Sequence, residues 1–379
     1  MKILLLADSN SSHTVKWATS LAERSYEIIL FSLTENVTDI YKKYESIVVK
    51  TAGIPAIKKL SEEADISKII YLKSIPLVKK IIKKYKPDIV HSHYASSYGL
   101  IGALSNFHPF IVSVWGSDVF NFPNRSLIHR KILKYNLSKS DKILSTSLIM
   151  AREVEKYSTK SVVIIPFGVN LQRFKPLYIK NIFNEKDIVI GTIKSLEDKY
   201  GIDLLLKSFK KLKEKYPSLS LKLLIVGKGS KEKKLKELAQ SLGIMNDTIF
   251  TGFIEHEEIH KYHNMLTISL FLSNESFGVS VIEASACEKP VIVSNIGGLP
   301  EVVENDVTGI IVDPFNIEQI IQAIEKLIFN RELRIWLGKN GRERVKKLYN
   351  WEDNVKQMDD LYGKVFENFR INPGKENAV

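Results

Sequence analysis

Short apolar runs rich in β-branched residues recur along this chain with helical patterns between them, and that alternation restricts its fold more than any other feature. Such runs stand at Lys2–Ala7, Glu27–Ser32, Asp88–His91, Phe110–Val114, Lys142–Thr146 and Val162–Pro166. A second set follows at Ile188–Ile193, Leu221–Val226, Thr248–Thr251, Ile268–Leu272, Val291–Ser294 and Gly309–Val312. A strand that is apolar along most of its length is covered by helices on both sides, as in a parallel sheet. Helical patterns lie between the later runs, at Ile202–Lys215, Lys231–Leu242, Glu257–Met265, Gly278–Glu288 and Ile317–Phe329. The first of these sets Leu204, Leu205, Phe209 and Leu212 on one face and its lysines on the other. Two successive sets of β-α repeats predict an α/β protein of two doubly wound, Rossmann-like domains. The length of 379 residues fits two domains of roughly 100–200 residues each.

Pro166, Gly168 and Pro176 break the rhythm, which predicts a first domain over 1–168, a linker over 169–186 and a second domain over 187–350. Trp351–Phe369 is a long helical pattern with no strand after it, expected to cross back to the first domain within a C-terminal segment 351–379. Asn372–Val379 is expected to fray. Doubly wound sheets bind ligands outside the carboxyl ends of their strands, so two of them facing each other would enclose a cleft.

Composition removes several classes. One cysteine excludes an intramolecular disulfide and any thiolate-rich zinc site. No apolar run approaches the roughly 18 residues that span a bilayer. Met1–Ala7 is interrupted by Asp8 before a signal-peptide core forms, so it is expected to be the first strand of a cytoplasmic protein. The charge is uneven: residues 1–170 hold 24 Lys and Arg against 14 Asp and Glu, whereas 171–379 hold 31 against 29. The surplus gathers at Lys79, Lys80, Lys83, Lys84 and Lys86 and at Arg130, Lys131 and Lys134. A basic surface attracts anionic lipid, nucleic acid or a phosphorylated substrate, unless it is only a solvated helix face.

The segment Asn274–Glu288 carries the most chemistry. A run ends near Ser273, a polar loop holds Glu275, and Gly278 opens a helix. The free amides of a first helical turn, with the helix dipole, hold an anion, and a glycine lets a phosphate approach the main chain. Glu283 lies about five residues into that helix, roughly 7.5 Å along it. Carboxylates are poor neighbours for phosphate but good acceptors for sugar hydroxyls. The layout suits a nucleotide-sugar, with Glu275 toward a hexose and Glu283 toward a ribose. The plainer alternative makes Glu275 a cap and Glu283 a surface residue; Ala284, Ser285, Ala286 and Cys287, small enough to pack closely on a sheet, argue against it.

These residues carry a family resemblance. Glu275 and Glu283, with Phe277-Gly278 between them, resemble the E-x7-E signature of the retaining glycosyltransferases of family four, which have the GT-B fold. Pro290–Glu301 with Gly297-Gly298, Thr308–Val312, Pro166–Asn170 with Phe174, Leu224–Gly229 and Thr251–Ile254 match further segments of that family in the usual order. The resemblance implies that Glu275 holds donor-sugar hydroxyls and Glu283 the ribose, and that the amides of Phe277, Gly278 and Val279 face the sugar and diphosphate. Ile254 would meet the base through its backbone, and a basic pair, Lys199 with Lys194, would neutralise the leaving diphosphate. The Gly191–Gly201 segment departs from the family's G-R-x4-K-G form, with no Arg beside Gly191.

The first half departs too. Ser9–Thr14 replaces a Gly-Gly turn, leaving Ser11 and Ser12 to cap a helix or touch a phosphate, while His13 and Trp17 resemble an S-x-H-x3-W variant. At the end of the Phe110–Val114 run many members carry a His; here Ser113–Asp118 replaces it, and Asp118 is expected to take over part of that role. His91 and His93 share a strand face, which admits a metal but lacks a third ligand; a structural pair is the simpler reading, with His93 near the cleft.

The expected function is a retaining hexosyltransferase. It would use a UDP- or GDP-sugar as co-substrate, without a metal or other cofactor, and act on a lipid-linked or polysaccharide acceptor of the cell envelope. Its location would be cytoplasmic, peripheral at an anionic membrane face. The alternatives are a nucleotide-sugar epimerase on the same fold and a non-enzymatic nucleotide-binding protein. No clustered basic-aromatic stripe points to nucleic acid, and no G-x-G-x-x-G follows the first strand to support an NAD dehydrogenase.

Overall fold

The computed structural model describes residues 1–55, 66–180 and 182–371. The chain divides into two compact units, one of Met1–Pro166 with Asn354–Val379 and one of Phe167–Asp353. Asn372–Val379, expected to fray, lies outside the described residues.

The first unit is built on seven strands: β1 (Lys2–Leu6), β2 (Glu27–Thr34), β3 (Ile47–Ile54), β4 (Ile89–His93), β5 (Phe110–Val114), β6 (Lys142–Ser145) and β7 (Val162–Ile164). Their order across the sheet is β3-β2-β1-β4-β5-β6-β7, every neighbouring pair parallel. The second unit holds β8 (Ile188–Ile193), β9 (Leu221–Val226), β10 (Thr248–Phe250), β11 (Ile268–Phe271), β12 (Val291–Ser294) and β13 (Ile310–Val312), in the parallel order β10-β9-β8-β11-β12-β13. Strand order reverses between β1 and β4 in one sheet and between β8 and β11 in the other. Those switch points fix where each unit can bind a ligand.

Strand ends agree with expectation to within a few residues, with one consequence: β4 runs on to His93, so that side chain belongs to the strand itself. The strand Ile47–Ile54 was not anticipated. It lies at the sheet edge, its residues are mostly half-buried, and Lys50 and Gly53 interrupt its apolar pattern. An edge strand covered incompletely need not be apolar throughout, so the criterion that finds central strands passes over it.

The expected linker 169–186 is corrected in part. Val169 and Phe174 are buried in the second unit, where Val169 pairs with the Tyr349–Trp351 backbone. The break therefore falls between Pro166 and Phe167. The helix Trp351–Ile371 buries Val355, Met358, Tyr362 and Val365, all counted with the first unit.

Each core follows from its helix faces. The Ile202–Lys215 helix buries Leu205, Leu206, Phe209 and Leu212; Leu206, rather than the half-buried Leu204, completes the face. Phe209 lies in a cluster with Leu223, Ile225, Ile268 and Ile324, none of them exposed. Phe209→Ala is expected to lower stability by about 3–5 kcal/mol, because a ring-sized cavity cannot collapse among strands fixed by hydrogen bonds. Denaturant titration measures it, and a loss under about 1 kcal/mol would contradict the packing described.

Candidate active site

In the second unit the chemistry gathers at the carboxyl ends of β8 and β11, the two strands of the switch point. Past β11 the chain reaches the buried Ser273, then Glu275, Phe277 and Gly278, where the helix Val279–Ala286 begins. Gly278 has φ +112°, and a Cβ there would stand 2.6 Å from Leu299. An L side chain is excluded on both counts. Gly297, at φ +68°, lets its loop lie against Glu275, whose carbonyl accepts the Gly298 N–H at 2.6 Å. The first turn's amides, at Gly278, Val279 and Ser280, have no acceptor within the helix and point out of its start. The anion site expected from the sequence would use these amides.

Glu275 is held from two sides. Lys194, just past β8, donates to its Oε2 at 2.5 Å, and Ser273 Oγ donates to its Oε1. The two charged side chains are only 9% and 14% exposed, so this pair is screened far less than a surface ion pair. Tyr200 lies under two ammonium groups, with Lys194 Nζ 5.3 Å and Lys199 Nζ 4.9 Å from the ring centre. Lys199 itself is exposed. The structure thus brings Lys194, Lys199 and Glu275 together around Tyr200 and Ser273, neither of which the sequence singled out. Ile254 is half-buried against Val189, Ile193 and Val226, and its neighbour Phe253 is exposed beneath Lys228.

Glu283 is 5% exposed, not a surface residue. His256 Nε2 lies 3.0 Å from its Oε1, and His263 Nε2, on a fully buried ring, lies 3.6 Å from its Oε2. Burial alone would push this carboxyl up, but the two imidazoles outweigh it and hold the group down at about 2. Burial pushes the His263 imidazole down as well, and pushes the neighbouring Cys287 thiol up to about 12. His256 and His263 escaped the sequence reading. The available signal was the run His256, His260, His263, whose rings all lie about Phe174 at centroid distances of 5.7 to 6.3 Å.

In the first unit the corresponding switch point lies between β1 and β4. His91 is fully buried, with Nδ1 2.6 Å from Tyr362 Oη and Nε2 2.7 Å from Ser113 Oγ. Burial pushes it down to about 3, so it is a neutral structural residue. His93 is different. Its ring is 2% exposed, 4.9 Å from that of His91 and 4.4 Å from that of Trp115, and among the described residues its Nδ1 has no hydrogen-bond partner. Burial, then His91 and His13, keep it well below the usual imidazole range. His13 reaches the same indole from the Ser12–Ala22 helix, at 5.8 Å between centroids.

Asp118 is 1% exposed and accepts the N–H groups of Ala95 and Gly116, each at 2.8 Å, and of Trp115 at 3.2 Å. It clamps the loop after β4 to the loop after β5, and both of its oxygens are engaged by these amides, so a position expected to share in catalysis serves here to hold two loops together. Ser11 precedes the Ser12–Ala22 helix, half-buried and without a capping hydrogen bond from its side chain, and Ser12 is exposed in the first turn. The loop is shaped instead by Asp8, whose Oδ1 accepts from the Asn10 amide at 3.0 Å and from Thr34 Oγ1 at 3.1 Å.

Two doubly wound parallel units, the second with a glycine-opened helix start beside a lysine–glutamate pair, have the architecture of the GT-B class. Residues 176–344 match the family described as glycosyl transferases group 1, and residues 2–147 match glycosyl transferase 4-like. The chain belongs to this glycosyltransferase family. An uncharacterized glycosyltransferase of Methanocaldococcus jannaschii is 28% identical over 85% of this chain and 88% of its own. A GDP-mannose-dependent alpha-(1-6)-phosphatidylinositol monomannoside mannosyltransferase of Mycobacterium tuberculosis is 26% identical over 53% of this chain and 55% of its own. Among solved structures, sucrose-phosphate synthase from Thermosynechococcus elongatus superposes with a TM-score of 0.82 at 22% identity, covering 97% of this chain and 100% of that one. Anabaena HepE, solved with UDP-glucose, gives 0.76 at 16% identity, over 96% and 100%.

The Glu283 environment has a pH consequence. Its pKa is depressed on folding, so its contribution to stability is complete above the unfolded carboxylate range, near 4.5, and is lost as pH falls toward 2. Removing His256 leaves burial less opposed and raises that folded value. His256→Ala is therefore expected to begin acid unfolding at a higher pH than the unaltered protein. Tryptophan fluorescence against pH checks this, and coincident curves would contradict it.

Proposed function

We propose that this glycosyltransferase is a retaining hexosyltransferase. Its donor is a UDP- or GDP-linked sugar and its acceptor a lipid-linked or polysaccharide glycan of the cell envelope, met at the cytoplasmic face of the membrane. The observation that carries the reading is the Lys194–Glu275 pair beside the Gly278 helix start. Cleaving the anomeric bond of a nucleoside-diphosphate sugar leaves a diphosphate whose charge must be met as it develops. Lys194, Lys199 and the amides of Gly278 and Val279 supply fixed positive charge for it, with no metal required. Glu275, already held by Ser273 and Lys194, accepts hydroxyls of the sugar, and Glu283, kept ionised, accepts those of the ribose.

With its oxygens engaged in this way, Glu275 is better suited to orient the sugar than to attack it. A transfer on one face of the sugar, in which a diphosphate oxygen takes the acceptor's proton, then retains the anomeric configuration. The first unit takes the acceptor, with the unpaired Nδ1 of His93 and the His13 ring disposed about Trp115. The support from relatives is of two kinds. A neighbour of this fold has been solved with UDP-glucose, and the mycobacterial relative's name states a GDP-mannose donor and a phosphatidylinositol-linked acceptor.

Thermal unfolding with UDP, GDP, ADP or NAD, all in EDTA, tests the donor site. A nucleotide at about 100 times its Kd stabilises by roughly 2.7 kcal/mol. One of UDP or GDP is expected to raise the Tm, and ADP and NAD to leave it unchanged. Lys194→Ala is expected to lower kcat by about 10²–10³, the usual cost of removing one group aimed at developing charge. An inverted anomeric configuration in the product, read by NMR, would overturn the retaining assignment. No shift with either sugar-carrier nucleotide would overturn the donor site.

A further inference from the structure

The helix Leu127–Lys139 of the first unit presents an unusual outer face. Ser126 caps it, accepting the His129 N–H at 3.4 Å, so that Leu127 and Ile128 form its first turn. These two side chains are 74% and 62% exposed. Lys131, Lys134 and Tyr135 are exposed along the same helix and Arg130 with them, while Leu133, Asn136 and Leu137 are buried behind. Lys139 Nζ lies 5.9 Å from the centre of the Tyr135 ring.

From Val119 to Ser140 the chain holds five Lys and Arg and no Asp or Glu. Among the described residues, Arg125, Arg130, Lys131 and Lys134 meet no carboxylate within ion-pair distance. The layer continues the charge. This helix packs on Ser97–Ser105, and that in turn on Ile66–Tyr85, whose Lys79, Lys80, Lys83 and Lys84 are exposed.

We infer that the Leu127–Lys139 helix is the surface on which the protein docks to an anionic lipid bilayer, Leu127 and Ile128 entering the headgroup region inside a collar of Arg125, Arg130, Lys131 and Lys134. The charge complementarity selects anionic lipid, and the apolar pair at the tip selects a bilayer over nucleic acid. A polyanion in water offers nothing to bury two aliphatic side chains, whereas the interface of a bilayer does. Lysine and arginine stems lie along such an interface with their charges at the phosphates. The inner side of the same helix reaches the acceptor end of the unit: Asn136 Nδ2 donates to the Ala95 carbonyl at 2.8 Å, in the loop that follows His93. This rests on the acceptor reading above and deepens it by naming the surface that brings the enzyme to a lipid-linked substrate.

The test is cosedimentation of the full chain with vesicles of phosphatidylcholine alone or with about 30% phosphatidylglycerol, at low salt and at about 0.5 M salt. Binding is expected to need phosphatidylglycerol and to weaken in salt. L127S/I128S is expected to weaken it about tenfold or more, and Lys131→Ala or Lys134→Ala about fivefold each, from about 1 kcal/mol per cation at the surface. Equal binding to both vesicles, no binding to either, or wild-type binding by L127S/I128S overturns the inference. So does tight binding of a DNA duplex that L127S/I128S leaves unchanged while vesicles fail. The UDP or GDP thermal shift is measured on the same samples. An intact shift in a variant that no longer sediments shows a folded protein with its donor site unaltered. Failure of docking with that shift present overturns the surface and leaves the donor site standing.

Discussion

A strand covered by helices on both faces can place a polar side chain safely only near its end, where the chain leaves the sheet and meets loops, water or ligand. Both sheets of this protein are wholly parallel, and many of their buried polar residues lie near carboxyl ends of strands, with His91 in mid-β4 held by hydrogen bonds to Tyr362 and Ser113. Ser92 and His93 close β4, Ser113 stands one residue from the end of β5, Ser273 follows β11 and Ser294 closes β12. Buried polar groups are mostly hydrogen-bonded. Ser92 and Ser294 are satisfied by carbonyls of Tyr98 and Ser273, and Ser113 by His91. His93 keeps an unpaired nitrogen at the same edge. The chemistry is placed by the sheet before any motif is considered.

The two glutamates of the second unit show how one residue type is tuned in opposite ways. Glu275 faces a cation, and the pair is nearly dry, so breaking it from either side strands a charge in a poor solvent. Glu283 faces two imidazoles, one of them held neutral by burial, and its charge is maintained by hydrogen bonding more than by a permanent counter-ion. In the proposed reaction the Lys194 ammonium beside Glu275 turns to the arriving diphosphate while the carboxylate takes sugar hydroxyls. Glu283, held low by its two imidazole neighbours, has no such ammonium beside it and stays an acceptor.

Much of this was legible in the sequence, and the residues that were not share a cause. The central strands and the Gly278 helix start are local properties, written in apolar runs and in one glycine that sterics alone demand. The two glutamates were found because loop and helix lie next to each other in the chain. His256 and Lys194 belong to their carboxylates only through the fold: Lys194 is 81 residues from Glu275, and His256 is 27 from Glu283. The partners of Asp118 are hidden for a related reason. Its proximity to the end of β5 is visible in the chain, but the Ala95 amide it accepts comes from 23 residues away. Spacing can place a carboxylate at an edge and cannot say whether its lone pairs are already taken. The edge strand β3 was missed because half-covered strands do not need the pattern that identifies covered ones.

Asp118 and Asn136 acquire a shared meaning once their partners are known. Both bind Ala95, one at its amide and the other at its carbonyl, so the residue two past His93 is fixed from both directions. Asp118 draws that loop to the Trp115–Gly116 turn against which the His93 ring packs. Asn136 draws it to the helix whose far side carries Leu127, Ile128 and the cations that meet no carboxylate. A helix that must be solvated or membrane-bound outside and rigidly tied inside needs a polar anchor through its buried face. Asn136, fully buried with its amide on two carbonyls, is that anchor. The geometry of the histidine edge and the placement of the basic, apolar-tipped helix are therefore set by the same two hydrogen-bonded contacts.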